Sequence, residues 1–184
     1  MNVSSIDSNI IKLEQTISSY QHDNIKLSAN GGNSMLFMCP PVEEDVYIER
    51  LKKNLSEEEF CFIDVNELLM EFVKQNREEI ELKFEMLSST TDQIFMLPKE
   101  EEGEDLFCMI IRAIAKSYDN NKIPVLIHTG ALNGTGIENI HIMENTVVMK
   151  GPKPLVVLYP AVKKNGKIMF LNLRPASDYR CMVI

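Results

Sequence analysis

Apolar residues recur every three or four positions between Ser5 and Tyr20 (Ile6, Ile10, Ile11, Leu13, Ile17), the spacing of one face of a helix. This predicts an N-terminal helical arm, residues 1–23, that docks on the rest of the chain. Asn24 to Gly32 follows as a loop or short edge strand and closes on Asn30-Gly31-Gly32, a turn signal. Met35 to Cys39 is a continuous apolar run and reads as a strand. The helix predicted over Val42 to Leu55 would turn Val42, Val46, Ile48, Leu51 and Leu55 towards a sheet. The same order then repeats: Phe60 to Asp64 (FCFID) is a short strand, and Val65 to Lys74 a helix packed through Leu68, Leu69, Phe72 and Val73.

Asn76 to Leu87 keeps helical spacing but is heavily charged, and Ser88 to Asp92 interrupts it. Ile94 to Leu97 reads as a short strand or a buried connection. The acidic stretch Lys99 to Asp105 (KEEEGED) reads as a solvated lead-in to the helix Leu106 to Tyr118, which is apolar nearly all round and therefore expected to be central. Lys122 to Leu132 predicts a third strand covered on both faces, Thr135 to Met143 a short helix, and Lys153 to Tyr159 a fourth strand stopped by Pro160. Asn165-Gly166 marks a tight turn before a strand over Ile168 to Leu173. Strands alternating with helices and ending in a hairpin predict an α/β fold, a three-layer and mostly parallel sheet flanked by helices, with an antiparallel edge.

With 184 residues, 45% of them apolar, the chain suffices for one full core, so a single domain over 1–184 is expected. A net charge of -8 argues against a broad surface for tracking phosphates. The stretch from Lys150 to Arg180 runs the other way. Lys150, Lys153, Lys163, Lys164, Lys167, Arg174 and Arg180 face only Asp178, a local charge of about +6. Those charges read either as solvated loops and edge strands or as a nucleic-acid-binding module. The four cysteines (Cys39, Cys61, Cys108, Cys181) are far apart, form no C-x-x-C and have no adjacent histidine, so neither a zinc set nor any other cofactor is expected. The polar opening Met1 to Asn9 and the lack of a long apolar run predict a cytoplasmic protein with no membrane partner.

The first strand-to-helix junction is where many nucleotide-binding α/β proteins place a glycine-rich loop and a lysine. Here Pro40, Pro41, Glu43, Glu44 and Asp45 stand instead. Proline has no N–H for a phosphate, and three carboxylates in the first helical turn repel one while suiting the helix dipole. The junction reads as a degenerate P-loop-like position without a phosphate-binding loop. A second candidate is the carboxyl edge of the sheet, where Asp64 and His128 end neighbouring strands and Thr129, Gly130, Gly134 and Gly136 form a small glycine-containing loop. Asp64 with His128 is the best catalytic pair the chain offers, although a structural hydrogen bond explains the same residues. Asp64 also fits the acid that ends a magnesium-binding strand in P-loop proteins, with no phosphate loop to complement it.

Several segments taken together carry a resemblance: the strand, Pro-Pro and acidic helix of Met35 to Glu49, Phe62 to Phe72, PVLIHTGAL at Pro124 to Leu132, PLVVLYPA at Pro154 to Ala161, and LNLRPASDYRCMVI from Leu171. Over about residues 30 to 184 this set resembles the BrxB-like family of BREX phage-defence operons. The resemblance implies antiviral defence alongside larger partners: an ATPase, an alkaline-phosphatase-like protein and a DNA methyltransferase. It carries over no catalytic residues. The expected function is therefore a non-catalytic adaptor acting through protein–protein interaction, with Pro40, Pro41, Glu43, Glu44, Asp45, Arg174 and Arg180 at its partner surfaces. The alternatives are a small nucleotide- or anion-binding enzyme or sensor, with Asp64, His128, Thr129, Gly130, Gly134 and Gly136 as its pocket, and nucleic-acid binding through the basic C-terminal region.

Overall fold

Strands buried on both faces need apolar side chains at every position, and three segments of this chain supply them. The computed structural model describes residues 3–18, 31–86, 92–97, 103–177 and 180–184. Its parallel strands are β1 (Ser34–Cys39), β2 (Phe60–Asp64), β3 (Ile123–Ile127) and the first half of β4 (Leu155–Lys164). A hairpin partner β5 (Lys167–Phe170), a two-residue β6 (Arg174–Pro175) and the C-terminal β7 (Met182–Val183) complete the sheet. The main order is β2-β3-β4-β1-β7, with β5 antiparallel to β4 and to β6. The fold is thus α/β with a mostly parallel sheet flanked by helices.

Alternation along the strands divides the core into two layers. Met35, Phe37 and Cys39 of β1, Val125 and Ile127 of β3, and Val156 and Leu158 of β4 pack under α1 (Val3–Ser18) and α2 (Glu44–Asn54). Leu36, Leu126, Val157 and Tyr159 face the other way, onto α3 (Val65–Gln75) and α6 (Leu106–Asp119). The smaller helices α4 (Arg77–Met86), α5 (Asp92–Phe95), α7 (Asn139–Met143) and α8 (Thr146–Met149) lie between these elements in the chain and bury Ile80, Ile94, Ile142 and Val148 in that second layer. The N-terminal segment is less an arm than a core element, since Ile6, Ile10 and Leu13 are buried; its predicted end at 19–23 lies outside the described residues.

Several expectations are corrected. Val42 sits in a 3-10 turn, Pro41–Glu43, and is 94% exposed; Val46 is also exposed, and Tyr47 takes the inward place beside Ile48 and Leu51. The third strand ends at Ile127, because His128 takes a left-handed conformation (φ 55°) and Thr129–Leu132 forms a 3-10 turn. Pro160 does not stop the fourth strand. It lies where β4 passes from its parallel partner (Cys39 opposite Pro160) to its antiparallel one (Ala161 opposite Phe170), and its carbonyl accepts the Leu171 N–H at 2.8 Å. The β5 strand stops at Phe170, since Leu171 and Asn172 both take positive φ. Ile94 is in a helical turn, not a strand. Helix α6 buries one stripe, Leu106, Ile110 and Ile114, and leaves Cys108, Arg112 and Lys116 exposed.

Two buried polar side chains hold connections in place. Asp105, expected in a solvated loop, is 4% exposed: it caps α6 through the Cys108 N–H (2.6 Å) and also accepts the Leu97 N–H (2.8 Å). Of the remainder of that acidic stretch, Gly103 and Glu104 are exposed, and residues 99–102 fall outside the described residues. Asn33, at the amino end of β1, is fully buried and donates its amide to the carbonyls of Val148, Gly151 and Lys153 at 2.9, 3.1 and 3.0 Å. Among the described residues no helix is long and apolar enough to cross a membrane.

Candidate functional site at the carboxyl edge of the sheet

Helix α2 leaves β1 towards one face of the sheet, whereas α3 and the turn after β3 leave towards the other. With only β4 between β1 and β3, these exits to opposite faces flank the carboxyl ends of the strands, the usual ligand position in open α/β sheets. The two groups of residues that the sequence kept apart meet there.

Asp64 ends β2 and caps α3. One carboxylate oxygen, Oδ1, accepts the N–H groups of Asn66 (2.9 Å) and Glu67 (3.1 Å). The other, Oδ2, lies 2.8 Å from His128 Nδ1. An ionised carboxylate only accepts, so the ring proton belongs on Nδ1 and Nε2 is turned outwards. Nε2 faces Asp45 Oδ1 at 3.6 Å, at the edge of hydrogen-bonding reach. The Asp45 carboxylate is 96% exposed and that of Asp64 17% exposed, with the imidazole between them at 32%. His128 is thus strung between a fixed internal acid and a solvated one.

These neighbours decide its charge. Burial is the largest single influence and pulls the His128 pKa down, but the hydrogen bond and charge of Asp64, then Glu44 and Asp45, outweigh it and raise the pKa above its ordinary 6.5. Burial raises the pKa of Glu44, with Asp45 and Asp64 adding to it, while the charge and backbone N–H of His128 pull it back. Glu44 Oε1 is buried with no hydrogen-bond partner. Behind them the Cys39 thiol is pushed far above its ordinary value by burial, with Glu44 and Glu43 adding, and is no nucleophile.

The rest of the predicted pocket is committed to structure. Thr129 is fully buried and donates its hydroxyl to the Leu158 carbonyl at 3.0 Å. Gly130 packs against Leu171 and Pro160, where an added Cβ would lie 3.1 Å from Leu171. Gly134 and Gly136 take φ of 89° and 76° in the loop leading to α7, a conformation that favours glycine. His141 accepts the Glu138 N–H at 3.1 Å, a local contact at the start of α7. Among the described residues no three His, Cys, Asp or Glu side chains converge as a metal ion would require.

Arg174 and Arg180, expected to face a partner, both find acids within the chain. Arg174 pairs with Glu138 at 2.8 Å and lies over the Phe170 ring, while Arg180 pairs with Glu144 at 3.1 Å. These partners bracket α7, so the two arginines tie the C-terminal segment across that helix before β7 joins β1. The lysines are partly drawn into similar local contacts: Lys153 bonds the Asn121 carbonyl, and Lys164 lies 3.3 Å from Asn172 Oδ1. Compared with family models, curated proteins and solved structures, the chain matches none of them.

Proposed function

We propose that the chain is a non-catalytic adaptor, a protein-binding α/β module of a BREX-type phage-defence complex, and that the Pro40–Asp45 edge is its docking surface. The observation that carries this reading is the display of Val42, 94% exposed, beside the fully solvated Asp45 and two prolines, at the position where an α/β enzyme would offer backbone N–H groups. A rigid turn presenting one apolar side chain and one acid suits a protein surface with an apolar pocket and a neighbouring cation. Arg174 and Arg180 contribute less to such a surface, since each is already paired within the chain. The larger defence subunits named by the resemblance are the partners this reading expects.

The test is purification of the tagged protein from its native operon with nuclease present, followed by mass spectrometry. Stoichiometric recovery of a large defence subunit, lost on combining Val42→Asp with Asp45→Lys, is the expected result. A protein recovered alone, or a complex indifferent to both substitutions, would sink the assignment. A second reading rests on His128, whose Nδ1 is held by Asp64 while Nε2 points outwards, as in a general base. It expects a nucleotide or small anion to raise the melting temperature of the wild type and not of His128→Asn.

A further inference from the structure

We propose that the outer edge of β2 is a dimerisation surface, where a second copy of this chain adds its own β2 antiparallel across a two-fold axis. Among the described residues β2 has a strand neighbour on one side only, β3. The bond from Ile123 N–H to the Glu59 carbonyl, 2.8 Å, fixes the phase of that pairing. Backbone groups alternate sides along a strand, so Glu59, Cys61 and Ile63 point towards β3, and Phe60, Phe62 and Asp64 point outwards. The Phe60 N–H is already turned to the Ser56 carbonyl at 2.9 Å. What remains is a row of four groups: the Phe60 C=O, the Phe62 N–H and C=O, and the Asp64 N–H.

A two-fold axis through Phe62 pairs this row with itself. Phe62 of one copy exchanges two hydrogen bonds with Phe62 of the other, and the Asp64 N–H of each copy meets the Phe60 carbonyl of its mate. The strand itself contains no proline, no lysine and no bulge, so its backbone row is unobstructed; its one acid, Asp64, is turned to His128 and the α3 cap, and Lys52 lies over the Phe62 ring at 5.9 Å.

Space and charge fit the same occupant. An open cleft of about 320 Å³ runs beside β2 between α3 and α6, with Leu68 and Ala113 among its walls. Lys116, in the last turn of α6, belongs to the amino half of the strand, and Glu67, in the first turn of α3, to the carboxyl half. An antiparallel two-fold reverses the strand, so Lys116 of each copy comes opposite Glu67 of the other. A closed, self-complementary contact of this kind stops at two copies.

Sedimentation equilibrium of the full chain tests the proposal. The wild type is expected to dimerise. Phe62→Lys, which sets two ammonium groups at the axis, is expected to leave a monomer. Lys116→Glu alone should weaken the dimer about tenfold, since two symmetric contacts turn repulsive. Adding Glu67→Lys to the same chain should restore it, which a merely damaged fold would not do. Both charge substitutions lie on exposed helix surface, so they remain informative if Phe62→Lys fails to fold. A wild type that stays monomeric at its highest soluble concentration would overturn the proposal. So would a dimer indifferent to Lys116→Glu, or an edge covered by a different protein.

Discussion

The two ends of the parallel sheet are each organised around one polar side chain, and they are built in opposite ways. At the amino end Asn33 is buried, neutral and bonded to three carbonyls, those of Val148, Gly151 and Lys153. At the carboxyl end His128 is one-third exposed and titratable, held by Asp64 on one side and open towards Asp45 on the other. The first arrangement satisfies backbone groups that water cannot reach, which is a task of folding alone. The second leaves an imidazole nitrogen, a solvated acid and Val42 facing outwards. Rigid construction and exposed chemistry are thus separated to opposite sheet ends, and substitutions at the two ends should separate stability from function.

The largest loss of stability is expected at the amino end. Asn33→Ala takes the amide donor from three carbonyls, of which that of Val148 keeps the Gly151 N–H, and should cost about 2–4 kcal/mol in denaturant unfolding. Asp64→Ala comes next, at about 1–2 kcal/mol, because it removes a helix cap as well as the His128 partner. Asp64→Asn, which keeps a capping oxygen, should lose less. A cost for Asp64→Ala above that of Asn33→Ala would reverse the comparison.

A smaller effect carries a pH signature. The His128 pKa is raised above its ordinary 6.5, so its pairing stabilises the fold fully below that value, and the contribution is lost as pH climbs through the raised one. The raised pKa of Glu44 acts in the same direction at lower pH, since that group also binds its proton more tightly in the folded chain. Asparagine tolerates the left-handed backbone of position 128, which makes His128→Asn the suitable comparison. The stability gap between wild type and His128→Asn should shrink from slightly acid to alkaline pH. A gap that widens would assign the opposite sign to the imidazole environment. Smallest of all, Val42→Asp should stay within about 0.5 kcal/mol of wild type, since it adds an acid at a solvated helix start.

The fold was largely legible because β1, β3 and β4 carry apolar residues at their buried positions, Ser34 at the start of β1 excepted, and only a sheet covered on both faces asks for that. The pairing of Asp64 with His128 was legible for a related reason: both end strands that proved to be neighbours. The approach of Glu44 and Asp45 to the same histidine was not, since it depends on β1 lying two strands away from β3 and on the course of α2 above them. The pairing of Arg174 with Glu138 and of Arg180 with Glu144 was not legible, because each acid is 36 residues distant and no local pattern marks such a pair. Pro160 misled because a strand that changes partners loses nothing by lacking an N–H at the crossing point.

The most direct measurement sets Val42→Asp against His128→Asn in the native operon, scoring capture of the large subunit and resistance to phage in the same cells. The adaptor account predicts that Val42→Asp loses both while His128→Asn keeps both. Loss of resistance in His128→Asn with capture intact would contradict it and make the carboxyl edge a site of chemistry.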